Sequence, residues 1–135
     1  MKILVLAVNY NSNEKTEAYL SSWNKAAQAI GVDTEVTVVV ADNSEKLERI
    51  QGDWFSICWV HVPTYANKGY LGAVSYVIKE KQLNLDDFDY SIISNVDLEI
   101  SQDFLMVLEK KQYEKSVGCI APMIYSLGEH RNRNP

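Results

Sequence analysis

The sequence predicts an α/β fold: an open, mostly parallel sheet with helices on both faces. Three observations carry that prediction. Apolar, β-branched-rich runs recur at 2–8, 35–41, 55–62, 90–94 and 117–121; stretches with helical spacing of apolar residues lie between several of them; and the first four runs each end in a polar, turn-forming loop. Alternation of this kind means parallel strands joined by right-handed crossovers.

Each element has its own justification. The first run, 2–8, is apolar apart from Lys2, too short to span a bilayer, and free of a small-residue cleavage pattern, so it reads as a buried strand. Residues 13–30 place Tyr19, Leu20, Trp23, Ala26, Ala27 and Ile30 at helix spacing, and Gly31 closes that helix. The run 35–41, with Val36, Val38, Val39 and Val40, is too apolar for a strand with one wet face and belongs in a sheet covered on both sides. Residues 45–51 read as a short polar helix ended by Gly52. A third strand at 55–62 is stopped by Pro63, and 69–81 carries Leu71, Val74, Val77 and Ile78 at helix spacing. Residues 90–94 make a fourth strand. Ser101 can cap a helix carrying Phe104, Leu105, Val107 and Leu108, and 117–121 makes a fifth strand.

Composition bounds the function classes. A chain of 135 residues is expected to form one domain, and 47% hydrophobic with 23% charged residues excludes disordered and fibrous classes. The net charge of -5 argues against a nucleic-acid binder, which needs clustered Lys and Arg; the one basic cluster, Arg131 and Arg133, sits at the extreme end. Cys58 and Cys119 lie inside apolar runs and read as reduced and buried, which points to the cytoplasm.

Ligands of open α/β sheets bind outside the carboxyl ends of the strands. After the first four strands come Asn9-Tyr10-Asn11-Ser12, Asp42-Asn43-Ser44, Asn67-Lys68-Gly69-Tyr70 and Asn95-Val96-Asp97. Such residues form turns anywhere, but here all four loops fall on the ligand edge, whereas those around Val32 and Asp86 on the other edge look like plain connections. The chain has no Gly-x-Gly-x-x-Gly and no Walker lysine pattern, which disfavours a Rossmann dehydrogenase or P-loop enzyme. A nucleotidyltransferase is disfavoured too, because the loop after the first strand is neither glycine-rich nor basic.

The order Val8-Asn9-Tyr10-Asn11, Ala41-Asp42-Asn43-Ser44, Asn67-Lys68-Gly69-Tyr70-Leu71-Gly72-Ala73, then Asn95-Val96-Asp97 resembles the family 2 glycosyltransferases of GT-A fold. More narrowly it is similar to their rhamnosyltransferase-like branch, where Asn-x-Asp stands for Asp-x-Asp and a helix containing Phe-Leu, here Phe104-Leu105, follows. The likeness runs from Lys2 to about Tyr125. It implies transfer of a sugar from a nucleoside-diphosphate donor to a polysaccharide or lipid-linked glycan acceptor, at the inner face of the membrane with peripheral association.

By the same resemblance Asp42 would accept a hydrogen bond from the nucleobase, Asn9 and Tyr10 would flank base and ribose, and Asn43 and Asn95 would belong to the donor site. Asp97 would be the metal carboxylate for Mg²⁺ or Mn²⁺, which take oxygen ligands and need few protein carboxylates when a diphosphate supplies the rest. Asn95 in place of a first acid lowers the negative charge there. Asn67, Lys68 and Gly69 precede a helix N-terminus, a favourable place for an anion, although an N-cap role explains Asn67 as well.

Other residues take plainer readings. Glu99 reads as a surface residue, with a second acidic contact as the alternative; His61 reads as a hydrogen-bonded core histidine, and Trp23, Trp54 and Trp59 as packing residues. An inverting transfer needs a general base, and the acids after 109, Glu114 and Glu129, do not match the base motif. The chain is therefore expected to be a donor-binding fragment without the acceptor half, with apolar surface left open to self-association. A non-catalytic nucleotide-binding or interaction module of the same fold is the alternative.

Overall fold

The computed structural model describes residues 1–111, 113–114, 116–126 and 128–132. In chain order the elements are β1 (Lys2–Asn9), α1 (Asn13–Ile30), β2 (Glu35–Asp42), β3 (Cys58–Pro63), α2 (Gly69–Glu80), a 3-10 turn (Leu85–Asp87), β4 (Tyr90–Asn95), α3 (Phe104–Lys110), β5 (Tyr125–Ser126) and β6 (Arg131–Asn132). The first four strands form one sheet in the order β3-β2-β1-β4, and every pair in it is parallel. No helix among the described residues is long and apolar enough to cross a membrane.

Alternation along the strands divides the core in two. Ile3, Val5, Ala7, Val36, Val38 and Val40 face α1 and α3, where Tyr19, Leu20, Trp23, Leu105 and Leu108 cover them. Leu4, Leu6, Val8, Val39, Ala41 and Val62 face α2, which brings Ala73, Val74 and Val77. Helices on both faces thus bury both sides of β1 and β2, which explains why those strands read as continuous apolar runs. Trp23 is fully buried and meets Tyr19 and Phe104 edge-on, at 6.2 and 5.8 Å between ring centroids, fastening α3 to α1. On the α2 side, β4 is left open: Ser91 and Asn95 are exposed and Ile93 is 49% exposed.

Several elements differ from the sequence reading. β1, β2 and β4 each run one residue further, so Asn9, Asp42 and Asn95 are the last residues of strands. Residues 45–51 are not helical: Ile50 is buried in the α1-side core, and the backbone N–H groups of Gln51 and Ser56 donate to Glu17 Oε1 (3.2 Å) and Asn24 Oδ1 (2.8 Å) of α1. Side chains of α1 thus bind the last amide of this stretch and one beyond it. β3 starts at Cys58 and includes Pro63, which is tolerated because β3 is an edge strand at its terminus. No strand forms at 117–121, where Val117 and Ile120 remain exposed and so gain no burial from pairing. Both cysteines are free, and both are exposed where burial was expected: Cys58 opens an edge strand and Cys119 lies in this irregular segment. Of the basic pair at the end, Arg133 lies outside the described residues.

Candidate functional site

Strand register sets the site. Asn9 lies opposite Asp42, Asp42 opposite Pro63, and Val8 opposite Asn95. All four strands therefore finish level, and their following loops share one edge, the carboxyl edge where ligands of open parallel sheets bind.

Asn9 and Asp42 are completely buried and hold each other. The Asn9 amide donates to Asp42 Oδ1 (3.2 Å), Ser44 Oγ (3.3 Å) and Asn13 Oδ1 (2.8 Å), and its carbonyl accepts from Ser12 N and Thr16 Oγ1, both at 3.1 Å. Asp42 Oδ1 also accepts from Ser44 N at 2.9 Å, while Oδ2 lies 2.8 Å from His61 Nε2. Burial alone would raise the Asp42 pKa, but the hydrogen bonds from His61 and Ser44, with the His61 charge, outweigh it and hold the carboxyl below its ordinary 3.8. The carboxylate expected to meet a base is thus closed off from solvent, and both of its oxygens have partners. Exposed instead is Tyr10, at 46%, with its hydroxyl 3.4 Å from Glu45.

A second knot ties the β2 and β3 loops. The Asn43 side chain donates to Gly69 O (3.1 Å) and accepts from Thr64 Oγ1 (2.8 Å) and Lys68 N (3.3 Å). Gly69 adopts φ +66, a conformation that favours glycine, and its N–H donates to Asn67 Oδ1 at 2.9 Å. The Lys68 and Gly69 amides, expected to greet an anion, donate here to the side-chain oxygens of Asn43 and Asn67. The Lys68 ammonium lies 4.8 Å from the Tyr76 ring centroid, two turns along α2 from the strand ends.

Asn95 and Asp97 are both exposed, as is Glu99. On the first turn of α2, the Tyr70 pKa is raised above 10.0, by burial first and then by the charge of Asp97. Among the described residues no group of three or more His, Cys, Asp or Glu side chains gathers as a metal cage. One free carboxylate and a neighbouring amide oxygen fit a hard cation that draws its other ligands from a diphosphate and water, and do not fit one held by protein alone.

Two adjoining cavities, of about 430 and 460 Å³, run along β3 as far as its last residue. Arg49 and Trp59 line both; Trp54 lines the first, and His61 and Pro63 line the second, whose end thus reaches the Asp42 pair.

Among solved structures the chain is similar to the S. aureus glycosyltransferase TarS, residues 1–349, with a TM-score of 0.51 and 19% identity over 81% of this chain. The fold is GT-A-like. This chain spans 31% of that TarS chain. No protein-family model matches the chain, and no curated protein matches it in sequence.

Within this fold the residues of the edge fall into two groups. Asn9, Asp42 and Ser44 lock the loops after β1 and β2, with Asn43, Thr64 and Gly69 adding the loop after β3; Asn95, Asp97 and Tyr70 stand beside them, open to solvent or half so. The sequence made His61 a hydrogen-bonded core histidine, as it is, without naming its partner, and did not single out Tyr70. The first lies in a strand neighbouring its partner, a relation that no local pattern records. Tyr70 carried a signal, since it directly follows Gly69 at the start of a helix on the ligand edge.

Proposed function

We propose that this chain binds a nucleoside-diphosphate sugar across the carboxyl edge of its sheet, as the donor-binding part of a family 2 glycosyltransferase acting on a glycan or lipid-linked acceptor. One observation carries the reading: all four parallel strands end at one edge, where Asn9, Asp42 and Asn43 hydrogen-bond the loops after β1, β2 and β3 to one another, with Tyr10, Tyr70, Asn95 and Asp97 accessible around them. The GT-A-like fold supports it.

In this reading Tyr10 offers a ring face to the base, and the buried Asn9–Asp42–Ser44 knot keeps its loop rigid, so that little order has to be gained on binding. Asn95 and Asp97 would hold Mg²⁺ or Mn²⁺ together with the diphosphate. Such a cation, when bound, neutralises charge on the departing nucleoside diphosphate. Tyr70 presents a protonated phenol beside Asp97, a donor suited to a phosphate or sugar oxygen.

Calorimetric titration with UDP, GDP and dTDP, with and without Mn²⁺, tests the proposal. Binding of one of them, strengthened by the metal, is the expected result; no binding by any overturns it. The alternative is a nucleotide-binding or interaction module of the same fold without transfer chemistry. Metal-independent binding that survives Asp97→Ala would select that reading.

A further inference from the structure

His61 sits between a braced wall and the buried carboxylate. Its Nε2 lies 2.8 Å from Asp42 Oδ2, and only 12% of its side chain is exposed. On its other side Trp59 stacks against the imidazole, with 5.8 Å between centroids and planes 24° apart, and Trp54 leans on Trp59 at 5.3 Å. The Trp54 indole N–H reaches Ser21 Oγ of α1 at 3.5 Å. Three rings therefore run from α1 to Asp42 and fix the plane of the imidazole.

Beyond Asp42 the chain of contacts continues. Ser44 N donates to Asp42 Oδ1, and Ser44 Oγ accepts from Asn11 N at 2.8 Å. Asn11 holds φ +48, a left-handed conformation that costs energy in a non-glycine residue and persists where its surroundings fix it. Next to it stands Tyr10.

We infer that His61 is a positioning residue: by orienting Asp42 it holds the left-handed turn at Asn11 and sets where Tyr10 presents its ring to a donor base. The inference rests on the proposed donor site for the identity of the ligand, but its first effect is on the free chain. A carboxylate that loses this donor can rotate, and Ser44 and the Asn11 amide lose their fixed partner with it.

The test compares His61→Gln, whose amide can still donate to Asp42, with His61→Leu, which fills similar space without a donor. Amide hydrogen exchange is followed at Asn11, with Val77 of α2 and Leu20 of α1 as internal references, alongside nucleotide titration in the presence of Mn²⁺. We expect Asn11 exchange about ten-fold faster and nucleotide binding about ten-fold weaker in the leucine variant, both within about three-fold of native in the glutamine variant, and unchanged references. Unchanged Asn11 exchange in His61→Leu overturns the inference. So does faster exchange at all three positions in both variants, which would make His61 a packing residue. If the leucine variant fails to fold, His61→Asn, whose amide is too short to reach Asp42, replaces it under the same criteria. If the native chain binds no nucleotide while the Asn11 pattern holds, the donor reading falls and the positioning of the loop stands.

Discussion

Tyr70, on the first turn of α2, and Asp97, two residues past the end of β4, lie close enough for the charge of one to oppose ionisation of the other. α2 follows β3, and β3 and β4 are the two outermost strands of the sheet. This electrostatic coupling relates the start of α2 to the loop after β4.

Asp97→Asn should separate the site's charge from its scaffold. Removing the carboxylate lowers the Tyr70 pKa toward 10.0, because one of the two causes of its rise is gone. The change reads out as an earlier tyrosinate absorbance in an alkaline difference titration against native protein. Enhancement of nucleotide binding by Mn²⁺ should fall about ten-fold or more, as losses of metal-site groups do. The thermal midpoint should not move, since Asp97 is exposed. A Tyr70 titration identical in both proteins would show that the two residues do not interact.

Asp42 predicts the acid limb of stability. Its folded-state pKa lies below 3.8, so folding favours the charged form: the contribution is complete above that unfolded value and is lost as pH falls through the lower folded one. Asp42→Asn removes this dependence, so stability measured by urea melts should fall less steeply between neutral and strongly acidic pH. At pH 7 the variant should lose about 2 kcal/mol, because an amide in this place turns N–H groups toward donors that the carboxylate satisfied. An acid limb as steep as that of the native chain would count against the depressed pKa.

The sequence made the scaffold legible and left its connections obscure. β1, β2, α1 and α2 were readable because residues such as Val36, Val38, Leu20, Trp23, Val74 and Val77 carry the period of the surface they bury. Asn9, Asp42 and Asn95 could be placed at strand ends from the polar break after each apolar run, though not as last strand residues, because ladder pairing carries the strands one residue further. The 45–51 segment misled because its end is tied to a helix earlier in the chain, through Ile50 in the core and Glu17 on the Gln51 amide, which no pattern within the segment reveals. The partner of His61 escaped for the same reason: it is Asp42 on the adjacent strand, 19 residues away. Local chemistry specified the elements, and tertiary hydrogen bonds specified what the polar residues do.

Tyr19 provides an alkaline counterpart to Asp42. Burial pushes its pKa up to about 12, even though the hydrogen bond with Ser94 acts to lower it. A raised phenol pKa means that folding favours the protonated form, so its contribution is intact below 10.0 and is lost as pH rises through about 12. Tyr19→Phe should cost about 1 kcal/mol at neutral pH through the lost bond to Ser94. It should also abolish the tyrosinate transition near pH 12. Persistence of that transition in the variant would assign it to another tyrosine.

Gly52 tests the ring stack without touching a polar residue. It adopts φ +154, and a Cβ there would fall 2.2 Å from the Trp54 ring, which must then leave its place against Trp59. Gly31, at φ +97 with nothing within 4 Å of a Cβ, is the control: Gly31→Ala carries backbone strain and no collision. Both alanine variants should destabilise the fold by about 1 kcal/mol through conformation. Gly52→Ala alone should also weaken the tryptophan bands in near-ultraviolet circular dichroism, as Trp54 and Trp59 come apart. If the stack braces His61, and His61 braces Asp42, that same variant should speed hydrogen exchange at the Asn11 amide while Gly31→Ala leaves it native. Matching spectra and matching exchange in the two variants would mean that the indoles only fill space beside β3, and that the imidazole keeps its orientation from Asp42 alone.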